Sequence, residues 1–161
     1  MSGVKGWWAK LQLFNRATGL EGRVVYLDLD TLIVGSLDAI IDWPAPFATV
    51  PDGGSTFRPI DGRQVVKRFN SSVMVFDAGA YQDLYLDWSL GVARRLWGDQ
   101  DWLAERHPDA QTMPAAWFPR LSSIGSTGEI PADARVILAK VPKNAEAADR
   151  WPWVNAIWRA A

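Results

Sequence analysis

Two aspartates, Asp28 and Asp30, close a short β-branched and aromatic run, Val24-Val25-Tyr26-Leu27, bounded by Gly22 and Gly35. The run has the composition of a buried strand. If the strand continues through them, the i, i+2 spacing puts both carboxylates on one face. Two carboxylates on one face repel unless a positive charge lies between them, and a divalent metal with oxygen ligands is a usual neutraliser. Loops just past the carboxyl ends of strands are where open α/β sheets place ligands. For a bare Asp-x-Asp, solvated or capping carboxylates remain the alternative.

Two further stretches carry chemistry-bearing side chains. Phe69-Asn70-Ser71-Ser72-Val73 sets an amide and two hydroxyls immediately before an apolar strand, where turn formation is the competing explanation. Gly98-Asp99-Gln100-Asp101 opens a helix. Asp99 reads equally as an N-cap and Asp101 as a favourable charge on the helix dipole, whereas Gln100 falls one position too late to cap. The single histidine, His107, precedes Pro108 at a helix end and reads as a favourable C-terminal charge. With one His and no Cys, no multi-His or thiolate metal site is available.

These residues need elements to hold them. The pattern predicts a helix over residues 6–18, with Trp7, Leu11 and Phe14 spaced i, i+4, i+7. It predicts strands at Val24–Leu29, Phe47–Val50, Val73–Phe76 and Arg135–Ala139. A short helix, Leu37–Ile41, follows a Ser36 cap. Pro51 to Arg63 and Gln111 to Thr127 read as loops, and 140–150 as a linker. A long helix is expected from Ala80 to Leu96, with Tyr81, Leu84, Tyr85, Trp88 and Val92 on its apolar stripe. Gly98 ends it, Asp99 caps a helix over Gln100–Arg106, and a last short helix lies within Trp151 to Arg159. Strands alternating with helices imply an α/β protein: a mixed β-sheet with flanking helices.

At 161 residues the chain reads as one domain with a real core. A net charge of −1 and scattered basic residues give no nucleic-acid footprint. The opening residues have no long apolar run, so no signal peptide is expected. Nowhere do about 18 apolar residues run together, as a spanning helix needs. A cytoplasmic protein without a membrane span is the expectation. Ten tryptophans is a heavy load; core packing is the plainer reading, and sugar or partner binding through exposed Trp7, Trp8 and Trp117 the alternative.

In order, the motifs are Gly6-Trp7-Trp8-Ala9-Lys10-Leu11, Tyr26-Leu27-Asp28-Leu29-Asp30-Thr31, Gly35-Ser36-Leu37-Asp38, Phe69 to Phe76, Asp99-Gln100-Asp101 and the late Trp-rich tail. Together they resemble nucleotide-sugar glycosyltransferases of the GT-A type, close to glycosyltransferase family 8, from about Gly6 to Trp158. The resemblance implies metal-dependent transfer of a sugar from a nucleotide-sugar donor, a UDP-sugar first, to an unknown acceptor. Asp28 and Asp30 would hold Mn2+ or Mg2+ against the donor diphosphate, and Lys10 would face that diphosphate. Asn70 and Ser71 would contact the donor sugar; Asp99 and Gln100 would lie near the reacting carbon as catalytic and donor-binding residues.

Two departures from the family pattern accompany the resemblance. Only five residues precede Gly6, where the family carries a nucleotide-binding βαβ unit. The chain therefore reads as one glycosyltransferase-like domain, 1–161, truncated at its N-terminus and corresponding to the C-terminal portion of the fold. Ala139 stands where a metal-binding His is usual, with Lys143 in the place of a downstream Lys. Reduced or lost activity, or a non-catalytic binding remnant, is expected from these changes, and a homodimer that covers the exposed sheet edge. A haloacid-dehalogenase-like phosphatase also opens on Asp-x-Asp, but that motif has a residue between the second Asp and the Thr, and here Thr31 follows Asp30 directly.

Overall fold

The computed structural model describes residues 6–52, 56–57, 65–66, 68–139 and 144–158. It is an α/β protein: a mixed sheet with helices packed on it. In chain order the strands and α-helices are β1 (Arg23–Leu27), β2 (Thr31–Ile33), α1 (Asp38–Ile41), β3 (Phe47–Pro51), β4 (Thr56–Phe57), β5 (Val65–Val66), β6 (Phe69–Asp77), α2 (Asp83–Leu86), α3 (Leu90–Arg95), α4 (Asp99–Arg106), β7 (Gln111–Thr112), α5 (Leu121–Ile124), β8 (Val136–Leu138), α6 (Asn144–Arg150) and α7 (Pro152–Trp158). Short 3₁₀ segments occupy Gly6–Phe14, Arg16–Thr18 and Ala115–Trp117.

Among the described residues the main sheet has strand order β1-β6-β3-β7. β6 pairs antiparallel with β1 on one side and β3 on the other, and β7 runs parallel to β3. β2 and β8 form a separate antiparallel ladder, as do β4 and β5. The central strand is apolar on both faces because both are covered. Met74 and Phe76 pack with Trp8, Leu11, Phe14 and Leu84 on one side, while Val73 and Val75 pack with Ile40, Phe118 and Val136 on the other. A third cluster joins Leu32, Ile137 and Ala139 to Leu121, Ala147 and Val154.

Several sequence expectations change. The N-terminal helix is 3₁₀ over Gly6–Phe14, and its buried residues are Trp8, Leu11 and Phe14, spaced by three as that helix requires. Trp7 is 58 % exposed, so it does not belong to the buried stripe. Trp8 is buried and Trp117 packs in the second cluster, which leaves Trp7 as the exposed member of the three proposed binding tryptophans. The long helix is two short ones. α2 ends at Leu86, with Asp87 as its C-cap, and Ser89 starts α3 by accepting a hydrogen bond from the Val92 amide at 3.4 Å. A local side-chain cap competes with helix continuation. Its apolar stripe nevertheless faces the core as expected, with Leu84 and Val92 buried and Tyr81, Tyr85 and Trp88 packed beside them. Before α2, Tyr81 adopts φ +58°, its ring held between Phe47 and His107 at centroid distances of 4.9 and 4.4 Å.

The chain from Gln111 is less loop-like than its prolines suggest, since it contains β7, a 3₁₀ turn and α5. α6 fills part of the segment expected as a linker, while Lys140 and Lys143 lie outside the described residues. Residues 53–55 and 58–63 of the expected loop also lie outside them, as do residues 1–5. No described helix is long and apolar enough to cross a membrane.

Candidate functional site

The site gathers at the carboxyl end of β1. The strand stops at Leu27, and Asp28-Leu29-Asp30 is a tight turn: the Thr31 amide and hydroxyl both donate to the Asp28 carbonyl, at 3.2 and 2.7 Å. The strand therefore does not continue through both aspartates, and the shared-face geometry does not hold. Leu29, between them, is 98 % exposed. The turn forms because Thr31 offers a second donor to a carbonyl the sheet leaves unpaired, while the Asp28 amide keeps its ladder bond to Ser72 at 2.8 Å.

Tyr26 and Asp28 do share a face. The Tyr26 hydroxyl donates to Asp28 Oδ1 at 2.7 Å. Lys10, from the N-terminal 3₁₀ segment, approaches the other oxygen, Oδ2, at 2.9 Å. Its ammonium also lies 3.1 Å from Ser71 Oγ and 3.3 Å from the Ser71 carbonyl, above the Tyr26 ring at 5.5 Å. Partial burial and the nearby carboxylates, Asp28 first, push the Tyr26 phenol pKa well up. Asp30 and Asp99 contribute to that field, so the three carboxylates share one neighbourhood.

Ser71 reaches the site through an irregularity in β6. Opposite it, Thr49 faces Met74 while the next residue, Val50, faces Asn70. The extra residues of β6 form a bulge, and the buried Thr49 hydroxyl, 2.7 and 3.0 Å from the carbonyls of Asn70 and Val73, donates to them. Bulges of this kind re-aim side chains near functional sites. The Asn-Ser-Ser segment is thus part of the strand, not a turn before it. The Asn70 Oδ1 serves the bulge, accepting from the Ser72 amide at 2.9 Å.

α4 supplies the remaining members. Gly98, not Asp99, is its N-cap residue, and Asp99 begins the helix with its carboxylate buried at 6 % exposure. No side chain caps α4; Asp101 Oδ2 accepts from the amide of Trp97, the residue before the cap, at 3.0 Å. Asp99 faces Ser71 and Lys10, and Gln100 Nε2 reaches Ser71 Oγ at 3.4 Å. Burial raises the Asp99 pKa, opposed by Lys10 and by the hydrogen bond to Ser71. A small cleft lies between Lys10, Ser71 and Asp99 on its polar side and Leu11, Met74 and Leu103 on its apolar side. Trp7 stands at the start of α4, its Nε1 donating to the Trp97 carbonyl at 2.7 Å; a Cβ on Gly98 would lie 2.8 Å from its ring.

The structure therefore unites Lys10, Asp28, Ser71, Asp99 and Gln100, places Asp30 on the adjoining turn, and turns Asn70 to its own backbone. Tyr26 is the residue that sequence reasoning missed, although its i, i+2 relation to Asp28 was readable. His107 closes the far end of α4, 2.8 Å from Asp83, remote from this cluster.

Among the described residues no three His, Cys, Asp or Glu side chains gather as metal ligands. Ala139 is buried, and its amide donates to the Asp30 carbonyl at 3.0 Å. The residues present offer two carboxylates. That donor set fits an ion bound largely by a diphosphate and water, which is how Mg2+ is usually held; it does not fit a metal caged by protein alone.

No family model matches the chain, and no curated protein matches it by sequence. Solved structures do match. One is the glycosyltransferase GlyE of Streptococcus pneumoniae TIGR4, at TM-score 0.59 and 16 % identity, covering 92 % of this chain and 44 % of that one. Another is the galactosyltransferase LgtC, solved with donor and acceptor sugar analogues, at TM-score 0.58 and 16 % identity, covering 93 % of this chain and 66 % of that one. The chain has a glycosyltransferase-like fold and spans less than two thirds of either neighbour's length.

Proposed function

We propose that this chain carries the donor-phosphate end of a nucleotide-sugar glycosyltransferase, with a UDP-sugar as donor. The observation that supports this best is the convergence of Lys10, Asp28, Ser71, Asp99 and Gln100 from four separate elements on one cluster around the Lys10 ammonium and the Ser71 hydroxyl. Lys10 is a cation positioned to stabilise negative charge as it develops on a leaving diphosphate. Ser71 and Gln100 offer hydroxyl and amide groups that orient sugar hydroxyls. Tyr26 fixes the Asp28 carboxylate by binding one of its oxygens. A divalent Mn2+ or Mg2+ held by Asp28 and Asp30 would add screening of the same charge.

Calorimetric titration with UDP and UDP-sugars in the presence of Mn2+ tests this reading. Micromolar binding that disappears in Asp28→Asn is expected. No heat with any nucleoside diphosphate sugar up to millimolar concentration removes the proposal. The second reading, a sugar-binding protein without transfer, draws on the half-exposed Trp7 and Trp97 beside α4. It predicts sugar binding with no UDP release over a panel of acceptors. Among the described residues no strand pairs with the outer edge of β1, which further suggests association of two copies.

A further inference from the structure

Lys10 and a divalent ion ask for the same carboxylate. The three N–H donors of the Lys10 ammonium meet three acceptors: Asp28 Oδ2, Ser71 Oγ and the Ser71 carbonyl. Its side chain is 15 % exposed, and the buried Asp99 adds to its attraction. The second Asp28 oxygen accepts a hydrogen bond from Tyr26. A metal approaching Asp28 meets a resident positive charge already satisfied by hydrogen bonds, and like charges at this range repel strongly where water is partly excluded.

We propose that Lys10 is the resident cation at Asp28 and competes with divalent metal for that carboxylate. Metal loading is then an exchange in which Lys10 leaves Asp28. A bound diphosphate gives the displaced ammonium a new anionic partner, so metal and diphosphate favour each other's binding by linkage. The protein without donor holds metal poorly by construction. The proposal rests on the reading of Asp28 as the metal-facing carboxylate, but its test needs no sugar nucleotide, so it fails or succeeds separately from the proposed function.

The measurement is Mn2+ binding alone, followed by loss of the free-ion paramagnetic resonance signal and by calorimetry. Wild type should bind weakly. Lys10→Met should bind at least tenfold more tightly, and Lys10→Met/Asp28→Asn should lose that gain. Equal or weaker Mn2+ binding by Lys10→Met overturns the proposal, as does a gain that persists in the double variant. Circular dichroism checks that each variant is folded. Should Lys10→Met not fold, Ser71→Ala removes one of the three acceptors that hold the ammonium; a severalfold gain in Mn2+ affinity is expected there, and no gain refutes the competition.

Discussion

Replacing Asp99 by Asn should stabilise the fold at neutral pH and lose that advantage in acid. Asp99 is 6 % exposed, and burial lifts its pKa above the ordinary value of 3.8 despite the opposing pull of Lys10 and Ser71. A raised folded-state pKa means that the fold prefers the protonated carboxyl. The contribution of Asp99 is therefore fully favourable below the unfolded-state pKa and is lost as pH rises through the folded one. Each tenfold preference for the protonated form weakens folding by about 1.4 kcal/mol once the group ionises. For a chain of this length that corresponds to about 3–6 °C in Tm. Asn keeps the shape and hydrogen-bonding capacity without the charge. Thermal melts of both proteins from pH 4 to pH 8 should show Asp99→Asn melting higher at pH 8, with the gap shrinking steadily towards pH 4. Groups common to both proteins cancel in the difference. A variant that melts lower at pH 8, or a gap independent of pH, would refute the reasoning.

Other variants address the frame around the site. Phe76 is fully buried in β6 with its ring 5.0 Å from Phe14, so Phe76→Ala should cost about 3–5 kcal/mol; a fall of only 1 kcal/mol in urea unfolding would mean that the sheet face collapses around the cavity. Tyr26→Phe removes the donor to Asp28 Oδ1 and should cost about 1–3 kcal/mol, visible as a lower urea midpoint with unchanged slope. An unmoved midpoint would show that solvent replaces the hydroxyl without loss. Along β1, the Asp28 and Ala78 bonds to Ser72 and Gly22 set the alternation, so the backbone groups of Arg23, Val25 and Leu27 point away from β6. No described strand covers them, and light scattering should show association growing over a hundredfold concentration range; a constant monomer mass counts against it.

The fold was readable where the side-chain pattern outweighed the backbone. β1, β3 and β8 fall where apolar runs predicted them; β3 and β8 are buried almost throughout, whereas β1, expected as a buried strand, is only half-buried along its length. The Ala80–Leu96 stripe was correct in its face and wrong in its continuity. An apolar period reports which side is buried, while Ser89 decides locally whether the helix runs through, and its cap costs little to form. The N-terminal segment shows the same division. Its apolar residues were recognised, but Trp8, Leu11 and Phe14 follow a period of three that a pattern search at 3.6 assigns to Trp7 instead.

The site was readable as residue types and not as geometry. Lys10, Asp28, Ser71, Asp99 and Gln100 were all named from sequence, yet the contacts among them depend on three local events that no spacing announces. Thr31 closes a turn that separates the two aspartates. Thr49 pins the bulge that points Ser71 into the cleft. Asp101 holds the Trp97 amide just before α4, at the turn from which Asp99 faces inward. Each event is a short polar side chain satisfying a backbone group, and each redirects a neighbour by a residue or less. The consequence is chemical. With Asp28 accepting from Lys10 on one oxygen and from Tyr26 on the other, the first carboxylate of the Asp-x-Asp turn is already paired with a cation, and the Mn2+ titration of Lys10→Met decides whether that cation has to move before a metal binds.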